Sequence, residues 1–162
     1  MWYESSNRQT APIRLPQFGL DRAPILGSAA GIAWLAALPR DECAEIVEEL
    51  LRDVQEQEQP RHNFENLDQV QQILHIARSR GYSRVDHSAL LRDLQTVAIA
   101  INENGRPIGS IALIYLADIV NETRLQEVMI PKLRDCARNV EQDLNYNAEN
   151  VMLEQANHRA SA

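Results

Sequence analysis

Between residues 96 and 116 the apolar pattern of this 162-residue chain switches from a helical period to alternation, and that switch limits the fold more than any other feature. Segments 96–101 (TVAIAI) and 106–116 (RPIGSIALIYL) are rich in β-branched residues and flank the turn-forming sequence NENG. Such a pair predicts an antiparallel β-hairpin, with a loop longer than the tightest two-residue kind. Most of the remaining pattern is helical. The expectation is therefore α+β: an antiparallel sheet with helices packed on its faces and a long C-terminal helix.

The helices announce their ends. Ser28 is placed to cap a short helix through its side-chain oxygen, and Pro39 stops it. Asp41 is expected to cap the next helix, whose apolar positions Ile46, Val47, Leu50, Leu51 and Val54 recur at helical spacing. The polar run EQEQPRHN then reads as a surface loop. Asn66 with Gln69 resembles a capping box for a third helix striped by Leu67, Val70, Ile73, Leu74 and Ala77, and Gly81 stands where a left-handed cap ends it. From Asn121 a long helix carries Leu125, Met129, Leu133, Ala137, Val140 and Leu144 on one side. Pro131 should kink it or mark a restart, because proline lacks the backbone donor and crowds the preceding turn. Before all of these, WYES and IRLP are short extended candidates broken by Pro12 and Pro16.

Charge and composition exclude several functions. The net charge is −7, with 23 acidic residues against 16 basic ones, and Lys132 is the single lysine. A duplex-binding surface needs clustered cations facing phosphates. Here the arginines are scattered beside acids, as in Arg52-Asp53 and Arg134-Asp135, so no nucleic-acid contact is expected from this chain. No apolar run is long enough for a membrane span and no secretion signal opens the chain, which points to the cytoplasm. Cys43 and Cys136 lie far apart in helical sequence and are expected to be free thiols.

Catalytic and cofactor signatures are missing. His62, His75, His87 and His158 have no metal spacing with one another or with the cysteines. No phosphate-cradling glycine loop and no nucleophile elbow is present. Cys43 and His75 make a conceivable nucleophile and base, but nothing in the sequence orients them. No cofactor, metal or enzymatic activity is expected.

Two small-residue features remain. Alternation puts Thr96, Ala98 and Ala100 on one face of the first strand, with Ala112 and Ile114 able to share it from the second. Room above such a face is filled by a closely packed helix or left for a ligand. Gly27-Ser28-Ala29-Ala30-Gly31 opens a helix almost without bulk. Its free N–H groups and the positive end of its dipole form a seat for a carboxylate, or else a tightly packed helix start. Together the two features describe a pocket with an anion seat at one end.

In order along the chain, RLPQFGLDRAPILGSAAGIAWLAALP, ARSRGYSRVD, QTVAIAINENGRPIGSIALIYL and IPKLRDCARNVEQDL resemble the effector-binding domain of IclR-type bacterial transcription regulators. The first contains the P-x-x-x-[ST]-A-x-G pattern, the second the Arg-x-Arg-Gly-Tyr segment, the third the paired strands and the fourth the final helix. The resemblance implies a GAF-like or PAS-like sheet domain spanning residues 1–162, a small organic acid as effector, and a homodimer or homotetramer. It also implies that the winged helix-turn-helix that contacts DNA, and the domain's first strand, lie outside this sequence. By motif position the pocket would be formed by Leu15, Ser28, Ala29, Ala30, Asp86, Thr96, Ala112 and Ile114, with Ala98 on the strand face between them.

Ala100 stands in place of the family's usual proline, and Ile32 where a basic residue is common. Ala112 and Ile114 replace hydroxyls found in some relatives, which favours an aromatic acid over glyoxylate or pyruvate. Two other functions fit parts of the pattern: a GAF-like or PAS-like input module of another signalling protein, and a small enzyme using Asp86 or His87 as a base.

Overall fold

The computed structural model describes residues 24–55, 66–86 and 93–160. Along the chain come α1 (Ala29–Ala37), α2 (Arg40–Gln55), α3 (Leu67–Arg80), β1 (Ser83–Asp86), β2 (Leu94–Glu103), β3 (Arg106–Leu116), a single turn α4 (Glu122–Arg124), a π-helical turn (Leu125–Met129) and α5 (Ile130–Ala160). The segments WYES and IRLP, Leu15, the EQEQPRHN run, His62 and His87 lie outside the described residues.

The capping residues act through their oxygens. Ser28 Oγ accepts from Gly31 N at 3.1 Å and donates to Pro24 O at 2.8 Å, which fixes the chain entering α1. Asn66 Oδ1 accepts from Gln69 N at 3.0 Å, and Gly81 ends α3 in the left-handed region at φ 71. Each such N-cap is worth about 1 kcal/mol. Asp41 is a correction: α2 begins at Arg40, and Cys43 N bonds to Pro39 O at 2.9 Å, so Asp41 sits inside the first turn. There its charge still complements the helix dipole.

β1, β2 and β3 form one antiparallel sheet in that order. Ser83 pairs with Ala98 and Ala98 with Ala112; Val85 pairs with Thr96 and Thr96 with Ile114. The hairpin loop is shorter than expected. Pairing continues through Glu103 and Arg106, leaving only Asn104 and Gly105 between the strands, at φ 50 and 78. Both residues tolerate positive φ, and that geometry is the one whose twist matches the strands. A bulge near Ile101 and Asn102 shifts the register beside the turn.

The sheet has helices on both faces. On one, α1 lies over all three strands, with Ala29, Ala30 and Ala33 against Ala98, while its other side joins α2 and α3 in a core of Leu35, Leu38, Cys43, Val47, Val70 and Leu74. Trp34 Nε1 donates to Pro107 O at 3.0 Å and ties the end of α1 to β3. On the other face Val97 and Tyr115 pack against Leu125, Ile130 and Leu133. Glu141 of α5 accepts from Asn102 N at 2.7 Å and Nδ2 at 3.0 Å, holding the hairpin end to the helix.

Pro131 marks a restart, as expected: α5 begins at Ile130, one residue before it, directly after the π-helical turn. The turn before it widens, with Ile130 N bonding to Leu125 O five residues back. In an ordinary α-turn the proline ring would crowd the Glu127 carbonyl, and a wider turn relieves this.

Candidate functional site

The site expected from sequence lies where the start of α1 meets the sheet. Alternation and register put Ser83, Val85, Thr96, Ala98, Ala112 and Ile114 on the α1 side. At Ala98 there is no room left. This residue is fully buried, and Ala29, Ala30 and Ala33 pack directly on it. The small side chains there serve close approach of helix to sheet, and no ligand body lies above Ala98 in this arrangement. Ser83 adds to the join, its buried hydroxyl donating to Ala29 O at 2.5 Å.

One strand further, the surface is different. α1 packs on β3 as well as on β1 and β2, yet among the described residues Ala112 is exposed and Ile114 only half-buried. Thr96 forms the buried floor beside Ile114. At the helix start, Gly31 N is taken by the Ser28 oxygen. The N–H groups of Ala29 and Ala30 precede the first intrahelical acceptor, as in any helix. Asp86 ends β1 and is exposed, across the register from Gln95. Ser28, Ala29 and Ala30 thus lie at the start of α1, Thr96, Ala112 and Ile114 on the sheet face that α1 packs against, and Asp86 at the end of β1.

A polar network on the opposite face was not legible in the sequence. Arg84 donates to Gln95 Oε1 at 3.1 and 2.6 Å and to Glu122 Oε2 at 2.8 Å, and Tyr115 donates to the same Gln95 oxygen at 2.7 Å. Gln126 donates to Tyr82 Oη at 2.6 Å and to Glu122 at 2.8 Å. Burial pushes the Tyr115 phenol above its usual value, against the pull of Arg84. The amide of Gln126 and the guanidinium of Arg84 hold the Glu122 carboxyl below its usual value. These partners come from β1, β2, β3, α4 and the π-helical turn, with Tyr82 just before β1.

Cys43 and Cys136 are both free, the first buried and the second exposed. Among the described residues no His, Cys, Asp and Glu group has the makings of a metal site, and no helix is long and apolar enough to cross a membrane.

Residues 10–142 match the family described as bacterial transcriptional regulator IclR, C-terminal. The chain belongs to that family. IclR C-terminal domains belong to transcriptional regulators and not to enzymes, which removes the reading of Asp86 or His87 as a catalytic base. It likewise displaces the input module of an unrelated signalling protein. Solved structures share the fold. A protein of Rhodococcus sp. RHA1 described as a transcriptional regulator is 26% identical with a TM-score of 0.62, over 76% of this chain and 48% of its own. The C-terminal domain of the E. coli transcriptional regulator KdgR is 23% identical with a TM-score of 0.61, over 76% of this chain and 72% of its own. The inducer-binding domain of a double mutant of PobR from Acinetobacter, in complex with 3-hydroxybenzoic acid, is 18% identical with a TM-score of 0.55, over 74% and 66%. The chain therefore spans about half the length of the Rhodococcus protein and most of the isolated KdgR domain.

Proposed function

We propose that residues 1–162 form the effector-binding domain of an IclR-type regulator, that its effector is a small carboxylic acid, an aromatic one by preference, and that occupancy controls DNA binding by a winged helix carried elsewhere in the full-length protein. One observation carries this reading. On the sheet face that α1 packs against, Ala112 is exposed and Ile114 half-buried, and the start of α1 carries N–H groups that lack intrahelical acceptors. A carboxylate is the group such a helix start favours, through its donors and its dipole. An apolar ring is the body that Ala112 and Ile114 favour, since neither offers a hydrogen bond.

Two findings lend support. The family is one of transcriptional regulators. The Acinetobacter domain of the same fold holds an aromatic acid. In the proposed complex the carboxylate sits at Ser28, Ala29 and Ala30 and the ring lies over Ala112 and Ile114 with Thr96 beneath; the resemblance adds Asp86 and Leu15 to the set. Ala98 supports the helix from below and does not touch the ligand. The protein works in the cytoplasm as a homodimer or homotetramer, in which the outer edge of β3 or β1 can pair with another chain.

A thermal-melt screen of aromatic and aliphatic acids tests the reading. An acid that binds only the folded chain stabilises it by about 2.7 kcal/mol at 100 times its Kd. Ala112→Phe should fill the ledge and abolish the shift while the variant retains its fold. A shift that survives Ala112→Phe undiminished would place the ligand elsewhere and end this assignment.

A further inference from the structure

A cavity lies on the far side of α1 from the sheet. It is a cleft of about 580 Å³ between α2 and α3, within the size range of small-molecule sites. Its walls are Val47 from α2 and Leu67 and Leu74 from α3, and its polar residues include Arg40, His75 and Arg78. Among the described residues no Asp or Glu lines it, although acidic residues outnumber basic ones in the chain by 23 to 16.

Arg78 is the telling residue. Its Nε donates to Ala36 O at 3.1 Å, which anchors the side chain across the top of α1. Its Nη2 is buried and has no hydrogen-bond partner. Arg78 as a whole is half-buried, but a buried donor nitrogen without an acceptor is costly, and native structures seldom leave one so. The neighbouring Cys43 thiol is hydrogen-bonded to the guanidinium, but burial still holds its pKa above the usual value, so it gives Arg78 no counter-charge. An acceptor in the cleft would, after a turn about the last torsions of Arg78.

We infer that the α2–α3 cleft is a second small-molecule site, taking an amphipathic anion whose carboxylate pairs with Arg78 and Arg40 and whose apolar body rests on Val47, Leu67 and Leu74. Arginine suits a carboxylate because its planar fork offers two parallel N–H donors. The apolar walls favour a ring or short chain over a bare oxyanion. This site does not depend on the ledge at Ala112, since α1 stands between the two.

Amide NMR of the 162-residue chain, titrated with benzoate and separately with inorganic phosphate, tests the inference. Benzoate should move the resonances of Cys43, Val47, Leu74 and Ser79, and phosphate should bind at least tenfold more weakly. Arg78→Gln should weaken benzoate at the cleft at least tenfold. Ala44→Phe, at an exposed position on the cleft wall, should block it without touching the core, and decides the matter if Arg78→Gln does not fold. Ala112→Phe should leave the cleft resonances responding, so failure here and failure at the ledge are separate results. Benzoate shifts confined to the sheet ledge, equal binding of benzoate and phosphate, or unchanged affinity in both cleft variants would each overturn the inference.

Discussion

Replacing Gly31 with alanine sets two effects of opposite sign against each other. Alanine is the better helix former by about 1 kcal/mol, so on propensity alone Gly31→Ala should stabilise α1. The structure says otherwise. A Cβ at residue 31 would stand 2.1 Å from Ile25 O and 2.5 Å from Ile25 Cα. It would lie closer to that carbonyl than van der Waals contact by roughly 1 Å or more. Both obstacles are backbone, so no side-chain rotation relieves them. The segment cannot simply step aside either, because Leu26 is buried and Ser28 Oγ grips Pro24 O. Overpacking of this kind costs about 1–3 kcal/mol, and rigid backbone on one side argues for the upper end. Subtracting the propensity gain leaves a net loss of about 2 kcal/mol. For a chain of this size that lowers Tm by about 4–8 °C. Thermal and urea unfolding followed by circular dichroism measure both quantities. If Gly31→Ala melts at or above the parent temperature, the close approach of α1 to the entering chain is wrong.

Three further outcomes follow from buried or paired groups. Ser83→Ala removes the donor to Ala29 O and should destabilise the chain by about 1–3 kcal/mol in urea titrations. Glu122 should titrate below an ordinary glutamate in carbon-detected NMR, and Gln126→Leu should bring it back up. Since its folded pKa is the lowered one, its contribution to stability is complete above the unfolded pKa. That contribution disappears as pH falls through the folded value, and it is small because solvent screens an exposed carboxyl. A thiol reagent added to the native chain at neutral pH should modify Cys136 quickly and Cys43 only on unfolding, since burial both hides the second thiol and raises its pKa. Equal rates for the two would contradict the packing of α2 on α1.

Local chemistry was readable where one residue decides one bond. Ser28, Asn66 and Gly81 each mark a helix end, and the alternation at 96–101 and 106–116 marks the hairpin. Where two neighbours compete for one role, the pattern is less decisive. Pro39 supplies the first acceptor of α2 in place of Asp41, and Asn104-Gly105 forms the turn while Asn102 and Glu103 pair. The small faces were ambiguous for a deeper reason. Ala98 and Ala112 are the same residue type on the same face, yet one is sealed and the other open. Only the diagonal path of α1, from Ser83 to Pro107, distinguishes them. The Arg84, Gln95, Tyr115 and Glu122 network was out of reach too, because partners up to 38 residues apart leave no periodic trace.

The widened turn before Pro131 acts as a phase shifter in what is otherwise one continuous helix. One extra residue in a turn rotates everything beyond it by roughly 100° about the axis relative to an uninterrupted α-helix. Upstream, this lets Glu122 and Gln126 face Arg84 and Tyr82. Downstream, it lets Ile130, Leu133 and Ala137 face the sheet. Neither half could keep its partners if the turn relaxed. Removing a single residue between 125 and 129 would therefore be felt along the whole of α5, as a helix presenting its wrong side to β2.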